Sequence, residues 1–244
     1  MECDFVVGTN AIRNLLILEL LFAPIWYILG REETVYNWTE ASRDGIGKIY
    51  MGREISKVMG HLGASWLERP KREQEERTDL LIKNMELKPQ DQVADIGAGS
   101  GYFSFRIAPL VPKGRVFAVD ISSQMLAIVR AKIRQNGTSN VCPVQSTVTD
   151  TKLKPESTDA ALLVDAYHEF SHPYEMMLSI SKSLKRNGRL ILIEYRKEDP
   201  SVRIKPLHKM TQKQAKLEMQ AVGFVWEKTL NILPQQHFMI FRKP

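Results

Sequence analysis

The nonapeptide VADIGAGSG, Val93 to Gly101, constrains this chain more than any other stretch. Four residues of strand character run into three alternating glycines, Gly97, Gly99 and Gly101, and a helical pattern begins at Tyr102. Glycines in that setting permit a tight turn and let a ligand approach bare backbone beside a helix N-terminus. A dinucleotide fingerprint would place its third glycine where Tyr102 stands; here it falls one residue earlier, giving G-x-G-x-G preceded by Asp95. A second apolar run, Arg115 to Asp120, ends in an acid 25 residues after Asp95, the length of one strand-loop-helix-strand unit. An acid at that place accepts hydrogen bonds from ribose hydroxyls.

The same alternation continues. Strands are expected at 140–145, 159–164 and 189–194, and helices at 123–135, 173–185 and 211–222. Two closing strands, 224–230 and 237–241, are near enough in sequence to form an antiparallel hairpin. Pro143 inside the third strand predicts a sheet edge, where a missing N–H is tolerated. Strand-helix repetition demands a parallel sheet, because each return to a parallel neighbour needs a crossover. The expected fold is therefore α/β: a Rossmann-like, doubly wound, seven-stranded and mostly parallel sheet with an antiparallel terminal hairpin. Before it, 31–85 carries repeated glycines suggesting short helices broken by turns, with one helix from Glu73 to Met85. The expected organisation is a hydrophobic segment over 1–30, a helical cap over 31–85 and the α/β domain over 86–244.

In order, "VADIGAGSG", "VFAVD", "DAALLVDAYHEF" and "GRLILIEY" resemble the motifs of the class I S-adenosylmethionine-dependent methyltransferases, over roughly Leu87 to Phe241. The resemblance implies S-adenosylmethionine as cofactor. Its binding residues are then Asp95, Gly97, Ala98, Gly99 and Gly101 at the first turn and Asp120 and Ile121 after the second strand. Asp165 joins them after the fourth. The family often places an acid after the third strand to bracket adenine; here Thr147 occupies that region and Asp150 comes later. The preceding helices of such proteins cap the crevice, which makes Tyr50, Arg53, His61, Trp66 and Arg69 candidates to approach substrate or cofactor.

His168-Glu169-Phe170-Ser171-His172 matches the zinc-protease pattern H-E-x-x-H. That chemistry needs both histidines on one continuous helix. Here the string follows a buried strand directly, and Pro173 disfavours a helical His172; Pro173 instead suits the first turn of the next helix. No metal site is expected. Residues after the fourth strand face the ligand crevice, and "AYHEFSHPYE" is similar to the segment of plant-type O-methyltransferases that supplies a histidine base. The similarity implies His168 as base and Glu194, ending the next strand, as its orienting acid, with Tyr167 beside them. His208 either touches substrate or caps the following helix.

Composition limits the rest. The 244 residues are 43% hydrophobic and 25% charged, with a net charge of +6. That balance suits a globular protein with a solvated basic face rather than a nucleic-acid binder. Two cysteines, Cys3 and Cys142, give no disulfide framework. The cytosol is the expected location. Leu15 to Leu29 is strongly apolar but shorter than the roughly 20 residues a membrane span needs, which leaves a surface helix over 11–30, a signal peptide or an anchor open. The expected activity is methyl transfer to a small-molecule acceptor, through oxygen in preference to carbon. A cofactor-binding protein without turnover is the rival of another class. The sequence is silent on oligomeric state.

Overall fold

Successive residues of a strand face opposite ways, and two apolar cores result. Val93, Leu162 and Ile191 point to one face of the sheet, whereas Ala94, Leu163 and Leu192 point to the other. The computed structural model describes residues 35–244, which form one unit. Its sheet contains β4 (Gln92–Ile96), β5 (Arg115–Asp120), β6 (Val141–Gln145), β7 (Thr158–Val164) and β8 (Leu184–Tyr195), closed by β9 (Val225–Leu230) and β10 (Gln236–Arg242). The spatial order is β6-β5-β4-β7-β8-β10-β9, parallel through β8 and antiparallel at β10 and β9. The expected fold class is thus observed, with Pro143 in the edge strand β6. Helices α4 (Tyr102–Ile107) and α5 (Ser123–Asn136) supply Phe103, Ile107 and Val129 to one core. Helices α6 (Pro173–Ser183) and α7 (Gln212–Ala221) supply Met177, Ile180 and Met219 to the other.

The region before the sheet departs from expectation. Residues expected as helix pair instead as a small antiparallel sheet of β1 (Tyr36–Trp38), β2 (Gly45–Tyr50) and β3 (Arg53–Ser56). The turn joining β2 to β3 is Met51-Gly52, with φ of +46° and +92°. Two consecutive positive-φ residues define the tight hairpin whose twist matches its strands. A Cβ on Gly45 would displace the Glu54 carboxylate, which accepts the N–H groups of Ser42 and Gly47 at 3.0 Å each. Helical character comes only afterwards, in α1 (Ala64–Leu67), α2 (Arg72–Glu76) and α3 (Thr78–Lys83). The single helix expected from Glu73 breaks at Arg77, whose φ is +53°. The Glu73 carboxylate then takes the Asp79 N–H and the Thr78 hydroxyl, terminating one helix and starting the next.

These elements are fastened to the domain by buried charge. Arg53 forms a two-pronged pair with Glu218 of α7, at 2.6 and 2.9 Å, and Glu218 also accepts the Tyr167 hydroxyl at 2.6 Å. Glu218 is wholly buried. No helix among the described residues is long and apolar enough to cross a membrane; the expectation for 11–30 falls outside the described residues. Replacing Arg53 with Ala strands the Glu218 carboxylate, and breaking a buried pair in this way costs about 3–5 kcal/mol. Urea unfolding of Arg53→Ala is expected to show that loss, and a loss below about 1 kcal/mol would contradict a stabilising pair.

Candidate active site

The glycine loop follows β4 and is held by backbone donors. The N–H groups of Gly97 and Ala98 both reach Val119 O, at 2.9 and 3.0 Å. Asp120, ending β5, accepts the Gly99 N–H at one carboxylate oxygen and the Ser122 N–H at the other, each at 2.8 Å. Gly97, Gly99 and Gly101 all have positive φ, so side chains there would be strained. Space is short as well: a Cβ on Gly97 would lie 2.7 Å from Ala166 Cβ, and one on Gly99 2.5 Å from Leu67 Cδ1.

A cavity of about 700 Å³ opens beside this loop, within the range of small-molecule sites. Gly97, Gly99, Asp120 and Ile121 line one side, and Ser146, Thr147 and Val148 continue it beyond β6. Asp165, Ala166, His168 and Glu169 line the opposite side, together with His208. Trp66, Leu67, Arg72 and Glu76 close over it from the N-terminal region.

Several expected site residues stand behind the cavity wall instead of in it. Asp95 is buried, accepts the Ser104 hydroxyl at 2.6 Å and supports the loop from below. Ala98 and Gly101 shape the turn without lining the cavity, since Ala98 O accepts the Gly101 N–H at 2.8 Å. Tyr167 requires a larger correction: its ring is fully buried and its hydroxyl is committed to Glu218, so it does not border the cavity. Tyr50 belongs to the core and Arg53 to the Glu218 pair. Arg69 is tied to Glu75 and Glu76, and His61 lies in a short turn outside the lining set. Trp66 does line the cavity, and its indole carries the Arg69 guanidinium 4.0 Å from the ring centre.

The H-E-x-x-H string does not form a helix. Tyr167–Glu169 make one short turn, Phe170 is extended and His172 precedes Pro173 at the start of α6. His172 bonds Ser171 and packs edge-on against Tyr36. His168 is buried within a separate group. Its Nδ1 lies 2.6 Å from Glu194 Oε2, its backbone N–H reaches Glu194 Oε1 at 3.3 Å, and its Nε2 meets His208 Nδ1 at 3.0 Å. Arg53 and Ser56 donate to the His168 carbonyl, at 3.3 and 3.2 Å, and the Met59 N–H reaches Glu169 at 3.1 Å. The N-terminal strands therefore position this turn. His208 does not cap α7, whose cap is Thr211 accepting the Gln214 N–H; it faces His168 across the cavity edge. The Glu169 carboxylate beside His208 raises that imidazole's pKa against the opposing effect of burial.

Sequence reasoning missed Asp44, Arg72, Glu76 and Lys205. No local pattern marked them, because they reach the site only after the N-terminal strands and helices fold against the domain.

The acids of the floor are hard to ionise. Burial, with the nearby Asp120 charge adding to it, pushes the Asp95 carboxyl up to about 6 despite the Ser104 bonds. Burial likewise raises Asp120. Asp165, with φ of +49°, is raised by burial and then by Glu76 and Glu194. Its Oδ2 accepts from Gln236 at 2.7 Å, while the enclosed Oδ1 has no hydrogen-bond partner among the described residues.

A family model described as a methyltransferase domain matches residues 87–237. The chain is 30% identical over 122 residues to an uncharacterized methyltransferase, YcgJ of Bacillus subtilis, covering 50% of this chain and 47% of that one. It is 27% identical over 121 residues to the ubiquinone/menaquinone biosynthesis C-methyltransferase UbiE of Wigglesworthia glossinidia brevipalpis, covering 49% and 48%. It thus spans about half the length of these curated relatives. Among solved structures, a SAM-dependent methyltransferase from Aquifex aeolicus superposes with a TM-score of 0.72 at 20% identity, over 77% of this chain and 100% of that one.

A raised carboxyl pKa predicts a definite pH dependence. Asp95 titrates near 3.9 when unfolded and at about 6 when folded, so the unfolded chain releases its proton first. Its stability contribution is complete below about pH 4 and declines as pH rises to about 6. The unfolding free energy of the natural chain minus that of Asp95→Asn should fall by about 3 kcal/mol over that window. A flat difference would mean that Asp95 binds its proton alike in the folded and unfolded chain.

Proposed function

The chain belongs to the methyltransferase-domain family, of the class I S-adenosylmethionine-dependent superfamily, and on that premise we propose that it methylates a small, largely apolar acceptor activated at His168. The carrying observation is the buried His168–Glu194 pair, 2.6 Å apart, at the wall of the glycine-loop cavity.

The residues present suit the cofactor. Gly97 and Gly99 line the cavity with bare backbone, the surface against which an adenosyl group would lie close. Asp120 keeps lone pairs for a ribose diol, and Asp165 Oδ1 offers an unpartnered acceptor for an ammonium group. S-adenosylmethionine supplies a methyl group made electrophilic by its sulfonium. The protein's tasks are then to align an acceptor, to exclude water and to remove a proton. Alignment near contact is worth about 7–11 kcal/mol. Val148, Phe170, Met176 and Ile204 give the acceptor an apolar bed.

Glu194 fixes the imidazole of His168. A carboxylate can only accept, so Nδ1 carries the hydrogen and Nε2 is left with a lone pair. That lone pair lies 3.0 Å from His208 Nδ1 at the cavity edge, so a hydroxyl acceptor would give up its proton there by displacing or sharing the His208 contact. Oxygen methylation is the reading favoured by this arrangement. A second reading, methylation of a ring carbon in a quinol-like acceptor, is favoured by the similarity to UbiE, and there the same lone pair would hold the phenolic proton.

Calorimetry with S-adenosylmethionine, followed by labelled methyl transfer to a panel of phenols and quinols, tests the proposal. Binding without transfer to any member would support the rival, a cofactor-binding protein without turnover. Substituting His168 with Gln is expected to lower kcat by two to four powers of ten and leave cofactor affinity within a few-fold. Undiminished turnover in that variant would remove His168 from the chemistry. Product analysis then separates oxygen from carbon as the acceptor atom.

A further inference from the structure

Three groups converge at the cavity edge although they are distant in sequence or turn. His168 Nε2, His208 Nδ1 and Glu169 Oε1 lie 3.0, 3.5 and 3.9 Å from one another. They form one cluster of metal-ligating atoms among the described residues. A triangle with those edges has a point about 2.0 Å from every corner, the distance at which imidazole and carboxylate bind zinc or a similar ion.

The surroundings match such a role. Metal-binding histidines commonly give their other nitrogen to a carboxylate. His168 Nδ1 has Glu194 at 2.6 Å, and His208 Nε2 has Asp44 Oδ2 at 2.8 Å. The second contact is an ion-pair distance without hydrogen-bond alignment, so both of its atoms lack a directed partner. Charge points the same way. Glu194, Glu169 and Asp44 surround two imidazoles; Lys205 pairs with Asp44 at 2.7 Å, and Arg53, already paired with Glu218, reaches the His168 carbonyl beside Glu194. With the His168 hydrogen held on Nδ1 by Glu194, its Nε2 lone pair faces His208 Nδ1 at 3.0 Å, a gap that either a His208 N–H or a metal ion fills.

We infer that His168, His208 and Glu169 form a three-ligand site for a divalent transition-metal ion at the edge of the acceptor cavity. Two imidazoles and one carboxylate are the donor set suited to zinc, cobalt or iron(II), with a position left open toward the cavity. The site itself stands independently of methyl transfer, and only its consequence rests on that reading. A lone pair bound to an ion cannot also take a proton, so in the loaded protein His168 is a ligand. A hydroxyl acceptor coordinated at the open position becomes more acidic. Its O–H bond breaks, the electron pair stays on oxygen and the proton leaves to water.

Cobalt(II) and zinc are the probes, added to the chelator-stripped full chain. One cobalt per chain is expected, with visible absorption bands and displacement by zinc. Nitrogen-15 resonances of the His168 and His208 imidazoles in the unsubstituted protein should move on zinc addition. His208→Ala and Glu169→Ala should abolish the bands, whereas His172→Ala, in the same pentapeptide, should retain them. Asp44→Asn should weaken affinity about ten- to a hundredfold. Cobalt binding that survives both ligand substitutions overturns the inference, as do imidazole resonances that ignore zinc and show only a second proton on His208. Calorimetry with S-adenosylmethionine on the same samples separates the two readings. Cofactor binding without metal sinks this inference alone, and metal binding without the cofactor sinks the methyltransferase reading alone.

Discussion

The Asp120 carboxylate sits between the N–H groups of Gly99 and Ser122, and the geometry of the cavity depends on that clasp. It joins the first ligand loop to the end of the neighbouring strand, so the turn after β4 cannot move independently of β5. Gly97 and Ala98 add two bonds to Val119 in the same strand. The loop's positive-φ glycines then have one arrangement available, and the bare backbone faces the cavity. Asp95 works from the other side. Holding Ser104 of α4 beneath the loop, it fixes the helix whose N-terminus borders the site. An acid that looks like a ligand-binding residue in the sequence thus acts through the loop it supports.

The N-terminal strands are part of the site's construction as well as its cover. Arg53 and Ser56 grip the His168 carbonyl, Met59 grips Glu169, and Lys48 reaches the Ser171 carbonyl at 2.7 Å. Four donors from one small region therefore hold the turn that follows β7. Arg53 does this while paired with Glu218 on α7, which links the turn, the strands and the helix behind them. The position of His168 is set by Glu194 through its ring and by β3 through its carbonyl.

The parallel sheet was legible because its signals are local and repeated: apolar runs buried on both faces, glycines at turns, and a proline that only an edge strand tolerates. The β2–β3 hairpin was not, because Met51-Gly52 lacks the asparagine or aspartate that usually advertises a two-residue turn, and glycine-rich sequence reads equally as broken helix. The resemblance to the methyltransferase motifs pointed to the two β–α turns, and Gly97, Gly99, Asp120 and Ile121 of those turns do line the cavity. Tyr167 was misplaced for a related reason: adjacency to His168 in sequence says nothing about which way a side chain turns in an irregular segment. Its hydroxyl found Glu218, 51 residues away.

The pentapeptide HEFSH shows why a motif's chemistry lies in its backbone. Two histidines four apart converge only on a helix, and here the chain makes one turn, extends and then starts α6 at a proline. His172 is carried off toward Tyr36, leaving His168 and Glu169 as neighbours that need a third group from elsewhere. The segment after β8 supplies it. Tyr195 O and Lys197 N bond Met210 in a short parallel bridge, which returns the chain to the end of the sheet and sets His208 against His168. A spacing of 40 residues carries no recognisable signature, yet the carboxyl ends of adjacent parallel strands open on the same side. Loops leaving β7 and β8 therefore meet over one crevice, and polar groups with no sequence relation become partners there.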